Sequence, residues 1–290
     1  MHEDFVPTVD AAVVTALRAA GAVLTCKTTT CESGYKLTAD SPVSGITRNP
    51  WRLDRTSGGS SGGAAAGVAA GCGPLAVGTD GVGSIRVPSS FCGVIGLKPT
   101  FGRVARAPGF FPPSWGSLAH TGPIGRTVAD VARLLGVIAG HDARDGASLP
   151  VAVPHYDATP GRLDGLRIAH SVDFGHAAVA PDVRHAFDDA LVALADLGAV
   201  LDDGEFRFDA ALLDEVIKPI AYTEQAAAVM ARDADALARS DREYRDVIAR
   251  GRAYSGIAYV DAMHRRTQLR AQFLALFGRA DILVTPAVAV

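Results

Sequence analysis

A glycine- and serine-rich stretch, Gly58 to Thr100, constrains this chain more than any other part of it. It opens with two serines between glycine pairs, Gly58-Gly59-Ser60-Ser61-Gly62-Gly63. A small-residue run from Ala64 to Ala70 follows, and then a further serine in Gly81-Val82-Gly83-Ser84-Ile85-Arg86. Glycine lets backbone approach backbone or ligand closely and adopt dihedrals closed to other residues. So many glycines beside serines predict backbone N–H groups aimed at a ligand, with hydroxyls nearby. A flexible tether has a similar composition. Here, however, the apolar segments Leu75-Ala76-Val77 and Val94-Ile95-Gly96-Leu97 interleave with the glycines, which predicts packed structure.

A chain of 290 residues can bury a large core and lies near the size at which single cores begin to split. Charged residues make up 20% and the net charge is −3, so a basic nucleic-acid footprint is absent and no direct nucleic-acid contact is expected. A hydrophobic content of 48% fits a compact α/β protein. No apolar run is long enough to span a bilayer, and Met1-His2-Glu3-Asp4 lacks the basic start of a secretory signal. A cytoplasmic protein without a membrane partner is expected. The four cysteines, Cys26, Cys31, Cys72 and Cys92, form no C-x-x-C pair and have no histidines at zinc spacing. They are expected to be reduced, mostly buried and small. No metal or organic cofactor is implied.

Asp10 precedes an apolar-periodic run to Ala20 that Gly21 ends, predicting a capped helix. Ala22 to Cys26 reads as a short buried strand. A helix feeding a strand this closely points to α/β architecture. The run from Gly62 to Ala70 predicts an interior helix whose N-terminus directs free N–H groups towards the serines. Leu75 to Gly78 reads as a buried strand, Thr79 to Ser84 as a tight turn, and Phe101 to Thr121 as a loop carrying Phe110, Phe111 and Trp115. Further helices are expected over Thr127–Ala139, Pro181–Leu197, Ala210–Ala238 and Tyr259–Phe277. Strands are expected at Leu166–Ala169, Ala199–Leu201 and Asp281–Thr285.

Several nucleophile patterns compete. Gly58-Gly59-Ser60-Ser61-Gly62 fits G-x-S-x-G, but that elbow follows a strand, and Arg52 to Ser57 is polar and turn-like. Ser33-Gly34-Tyr35-Lys36 fits S-x-x-K without the companion S-D-N and K-T-G motifs. A phosphate-binding loop would need a lysine after its last glycine, and none is there. The remaining pattern is two serines acting together, Ser60 and Ser84.

On that last pattern the chain resembles the amidase signature family. The resemblance is carried by Gly58–Thr100, with Asn49-Pro50-Trp51 before it and Gly122-Pro123-Ile124-Gly125-Arg126-Thr127 after it. It extends from the Asp10 helix to Asp281-Ile282-Leu283-Val284-Thr285-Pro286. It implies an α/β fold with a central mixed β-sheet flanked by helices on both faces. Residues 1–290 would form one incomplete domain, truncated at both ends, with the signature core at 49–130 and a helical and sheet remainder at 131–290. The implied chemistry is hydrolysis of a small-molecule amide by a Ser–cis-Ser–Lys triad. Ser84 would attack the carbonyl and form an acyl-enzyme, and Ser60, joined to Gly59 by a cis peptide bond, would relay its proton. The N–H groups of Gly81, Val82, Gly83 and Ser84 would form the oxyanion hole, and a neutral lysine would be the base.

Three departures shape the expectation. The family's K-D motif lies before the first helix, and none of Lys27, Lys36, Lys98 and Lys218 takes its place. Val82 stands where glycine is usual, and a β-branched residue there would be strained if the position required positive φ. Cys26 replaces the glycine of G-K-T. The isolated chain is therefore expected to hydrolyse amides poorly. The alternatives are the A subunit of a tRNA-dependent amidotransferase, releasing ammonia from glutamine, or a non-catalytic remnant. Sheet edges left open by missing elements would favour homo-oligomers.

Overall fold

The computed structural model describes residues 6–108, 116–230 and 237–290. They fall into two compact units, Met1–Thr159 with Ala221–Ala253, and Pro160–Ile220 with Tyr254–Val290.

The first unit is built on an antiparallel sheet in the order β5-β7-β6: β5 is Leu75–Asp80, β6 Ile95–Gly96 and β7 His120–Gly125. Leu75 lies opposite Gly125 and Asp80 opposite His120. Before it come helix α1 (Ala12–Ala19) and two short antiparallel ribbons. These pair β1 (Asp40–Ser41) with β2 (Gly45–Ile46), and β3 (Arg48–Asn49) with β4 (Arg52–Thr56). Helix α2 (Gly62–Ala69) has almost no polar face, so it is stable only when enclosed, and Gly62, Ala64, Ala65, Ala66 and Val68 are buried. Its Ala64 and Val68 pack on Ile85 and Ile124. Both isoleucines are fully buried, each burial contributing about 1.5–3 kcal/mol. Helix α3 (Arg86–Cys92) ends on Gly93, whose left-handed conformation stops it. Helix α4 (Val128–Ile138) is amphipathic and capped by the Thr127 hydroxyl, which accepts from Asp130 N–H at 3.1 Å. Its Leu134, Leu135 and Ile138 meet Val13 and Leu17 of α1.

The second unit holds a parallel sheet in the order β10-β8-β9: β8 is Arg167–His170, β9 Val200–Glu205 and β10 Ile282–Val284. Parallel strands require crossovers, and α5 (Pro181–Asp196), with proline in its first turn, joins β8 to β9. Helices α6 (Ala211–Met230) and α7 (Arg242–Ala253) come next, and α8 (Gly256–Phe277) returns the chain to β10. Helix α7 and the part of α6 from Ala221 belong to the first unit. The second unit's core joins Ala169, Phe206, Leu276 and Ala280 to Phe174, Phe208 and Phe273.

The α/β class and most elements follow the sequence reading, with the expected central sheet resolved into one three-stranded sheet in each unit. Five expectations need correction, the first being that the cysteines are mostly buried, since Cys26 and Cys72 are exposed. Ala22–Cys26 forms no strand: it has no ladder partner among the described residues, and Val23 is 87% exposed. An extended segment without a partner leaves its backbone groups to water. Arg52–Thr56, read as a turn, is a strand because β3 pairs with it, although all five residues are exposed. The turn expected from Thr79 starts two residues later, since β5 runs to Asp80. Helix α1 begins after Ala11 with no side-chain cap, and Asp10 instead pairs with Arg18 at 3.2 Å. Phe110, Phe111 and Trp115 lie outside the described residues.

Candidate active site at Ser60 and Ser84

The chain leaves β4 through Ser57 and Gly58 and turns sharply at a cis peptide bond between Gly59 and Ser60, the position expected from the resemblance. Only glycine fits at 59, because a methyl group there would overlap the Thr38 backbone. Ser60 is 3% and Ser84 6% exposed. The two segments are joined directly, Ser61 N–H donating to the Ser84 carbonyl at 3.1 Å. The Ser61 hydroxyl is spent on register: it donates to Thr79 C=O at 3.2 Å and accepts Thr79 N–H at 3.1 Å. It therefore clips the start of α2 onto β5. The hydroxyls of Ser60 and Ser84 make no hydrogen bond among the described residues.

Asp80 organises the loop before Ser84. It is fully buried, and its carboxylate accepts Gly83 N–H at 2.7 Å, Ile85 N–H at 3.2 Å and Arg86 N–H at 3.3 Å. Arg86 adds Nε at 2.9 Å and Nη2 at 2.8 Å. Burial alone pushes the Asp80 carboxyl up, but the Arg86 guanidinium and the loop N–H groups outweigh it and hold it below the usual carboxylate range. Sequence reasoning placed Asp80 in the loop without giving it a role; a buried carboxylate opening a glycine turn could have identified it as the loop's anchor.

The left-handed backbone falls on Gly83, at φ 123°, and Val82 does not share it. The condition for strain at Val82 is not met, because glycine already occupies the position that needs positive φ. Of the four N–H groups expected to face an oxyanion, Gly83's is aimed at Asp80. Those of Gly81, Val82 and Ser84 have no acceptor among the described residues. The loop thus presents open donors beside a buried hydroxyl.

Among the described residues no lysine hydrogen-bonds Ser60 or Ser84. Lys36, of the S-x-x-K pattern, pairs with Asp40 at 2.7 Å, Asp241 at 3.0 Å and Glu243 at 3.6 Å. Burial would lower its pKa, but the hydrogen bonds to Asp40 and Asp241 prevail and raise it, so it stays protonated. Lys98 donates to Pro99 C=O at 3.0 Å, and burial followed by the charge of Arg86 lowers its pKa. Lys218 pairs with Asp214 at 2.6 Å, and Lys27 is exposed. Burial, then the charge of Lys98, also lowers His120, whose Nδ1 lies 3.3 Å from Asp80 C=O. Among the described residues no group of three His, Cys, Asp or Glu side chains could hold a metal, the cysteines are unpaired, and no helix is long and apolar enough to cross a membrane. A cavity of about 420 Å³ reaches Ser61 and Thr79 but is lined by neither Ser60 nor Ser84.

The sequence and fold together match known proteins. The family profile described as Amidase matches residues 1–290. The chain is 40% identical over 320 residues to the A subunit of the glutamyl-tRNA(Gln) amidotransferase of Synechococcus sp. (strain RCC307), covering 99% of this chain and 64% of that one. It is 47% identical over 204 residues to an acylamidase of Rhodococcus erythropolis, covering 69% of this chain and 42% of the relative. The solved structure of a bacterial aryl acylamidase of the amidase signature family superposes with a TM-score of 0.88 at 29% identity, over 98% of this chain and 60% of that one. The chain thus spans about 60–64% of the length of the proteins it matches end to end. With a profile spanning every residue, a shared backbone and two buried serines joined through Ser61 beside a cis Gly59–Ser60 bond, the chain belongs to the amidase signature family.

Proposed function

We propose that this chain is an amidase-type hydrolase cleaving carboxamide C–N bonds through an acyl-enzyme on Ser84. Ser84 Oγ attacks the carbonyl carbon, and its proton passes by way of Ser60 to the leaving nitrogen as the C–N bond breaks. Water then cleaves the ester, releasing carboxylate and restoring Ser84. The N–H groups of Gly81, Val82 and Ser84 receive the developing oxyanion, while Gly83 shapes the loop through Asp80. The observation carrying this reading is the Ser61 N–H bond to Ser84 C=O, which ties the cis bend to the nucleophile loop. Residues 1–290 act as one incomplete amidase domain with its signature core at 49–130, and the protein works in the cytoplasm.

Turnover by the isolated 290-residue chain is slow, because none of Lys27, Lys36, Lys98 and Lys218 takes the place of the family's K-D lysine, and Lys36 is committed to three carboxylates. The relative from Synechococcus supports a second reading, in which the amide is glutamine and the ammonia passes to a partner protein. Release of ammonia from glutamine and of aniline from an acyl anilide, each with and without added amidotransferase partners, separates the two. Aniline release abolished by Ser84→Ala supports an acylamidase. Partner-dependent ammonia release supports the second reading, and activity that survives Ser84→Ala overturns both.

A further inference from the structure

Ser60 is overlaid by a strap running from Ser33 to Thr38. A Cβ placed on Gly34 would stand 3.4 Å from Ser60 Oγ, and one placed on Gly59 would overlap the Thr38 backbone. The strap therefore runs beside both residues of the cis bend. Its first residue, Ser33, has φ 51°, one of two non-glycine residues in the left-handed region among the described residues. That conformation is unfavourable for serine and persists where neighbours hold it.

The holding groups are remote in sequence. Gln225 of α6 is fully buried, and its Nε2 donates to Ser33 C=O at 3.2 Å across 192 positions of chain. Its Oε1 accepts the hydroxyl of Tyr244, a fully buried residue of α7, at 3.0 Å. The amide is thereby fixed in orientation, since a flipped amide would set oxygen against oxygen. The Tyr244 ring lies 5.2 Å from that of Tyr35, inside the strap. Around the turn, Asp241 N–H donates to Glu32 Oε2 at 2.8 Å, and the Asp241 carboxylate accepts Lys36 Nζ at 3.0 Å. A buried amide with its partners removed is costly, so both bonds of Gln225 constrain the turn.

We infer that Gln225 is a positioning residue for Ser60: oriented by Tyr244, its amide holds the Ser33–Gly34 turn against the Ser60 hydroxyl. The inference deepens the proposed role of Ser60 as proton relay and rests on that reading for its chemical consequence. Its structural content stands separately.

Two readouts on the 290-residue chain keep these apart. Hydrogen–deuterium exchange follows the segments 31–40 and 57–62, with α4 as an internal reference. Labelling of Ser84 by a fluorophosphonate gives a maximal rate and a half-saturating concentration. Gln225→Leu keeps the volume and removes both bonds; Tyr244→Phe removes only the orienting hydroxyl and preserves packing. In Gln225→Leu, exchange in 31–40 and 57–62 is expected to rise about tenfold, the worth of one net hydrogen bond, with α4 unchanged. Tyr244→Phe is expected to produce a smaller rise in the same two segments. The maximal labelling rate should fall in both variants with the half-saturating concentration unchanged. Unchanged exchange at 57–62, or an equal rise at α4, overturns the inference, and Tyr244→Phe supplies this test if Gln225→Leu does not fold. Failure of the wild-type chain to label at Ser84 counts against the hydrolase reading and leaves the exchange result to decide the placement of the turn.

Discussion

Asp80 and Arg86 meet through two parallel hydrogen bonds, Nε to Oδ2 at 2.9 Å and Nη2 to Oδ1 at 2.8 Å, with the carboxylate fully buried and the guanidinium half exposed. The same carboxylate accepts Gly83 N–H, so one ion pair sets the path of the backbone between β5 and Ser84. Planar pairing of this kind fixes direction as well as charge. The relationship makes the loop's shape depend on the ionisation of Asp80.

The folded-state pKa of Asp80 lies below its unfolded value. Its stabilising contribution is therefore present above the ordinary Asp range, near pH 4, and is lost as pH falls through the lower folded value. Arg86→Ala leaves the carboxylate buried with only backbone donors, and is expected to cost about 3 kcal/mol at neutral pH. Urea unfolding of wild type and variant from neutral to acid pH checks this. The difference should shrink below about pH 4, and a pH-independent difference would refute the assignment.

Helical glycines in the first unit should respond oppositely to alanine. Gly67, inside α2, and Gly136, inside α4, have open space where a Cβ would go, so alanine at each is expected to stabilise by about 0.5–1 kcal/mol through helix propensity. Gly63, in the first turn of α2, would set its Cβ against the Thr29 backbone, and Gly63→Ala is expected to destabilise by about 1–3 kcal/mol. Thermal denaturation of the three variants decides the matter.

The serines should separate by role. Ser84→Ala is expected to abolish fluorophosphonate labelling. Ser60→Ala should slow it by about 10²-fold or more, the usual worth of positioned proton transfer. Mass spectrometry of the labelled peptide locates the adduct; an adduct on Ser60 in the wild-type chain would reverse the assignment.

Lys36 has a folded-state pKa raised above its unfolded value, chiefly because hydrogen bonds to Asp40 and Asp241 outweigh its burial. Its contribution is fully present below the unfolded value, about 10.4, and is lost as pH rises beyond it. Tyr35, raised by burial, loses stability in the same direction. Wild-type stability should thus fall above about pH 10, and Lys36→Met should be less stable at neutral pH with a shallower alkaline decline. Equal alkaline slopes in the two proteins would contradict this account.

What the sequence determined by itself is the local structure that depends on residue type within a short span. Gly59 and Gly83 lie in the glycine-rich stretch because a close backbone approach and a left-handed turn select glycine. Amphipathic helices such as α4 were legible because their periodicity and caps are local. Tertiary structure alone decided which extended segments become strands: Arg52–Thr56 gained a partner in β3, whereas Ala22–Cys26 found none among the described residues. It also decided that Gly83 donates to Asp80, that Ser61 is committed to Thr79, and that Gln225 reaches Ser33. A hydrogen bond's worth depends on burial and on where its partner lies, and neither is written in the order of the residues that make it.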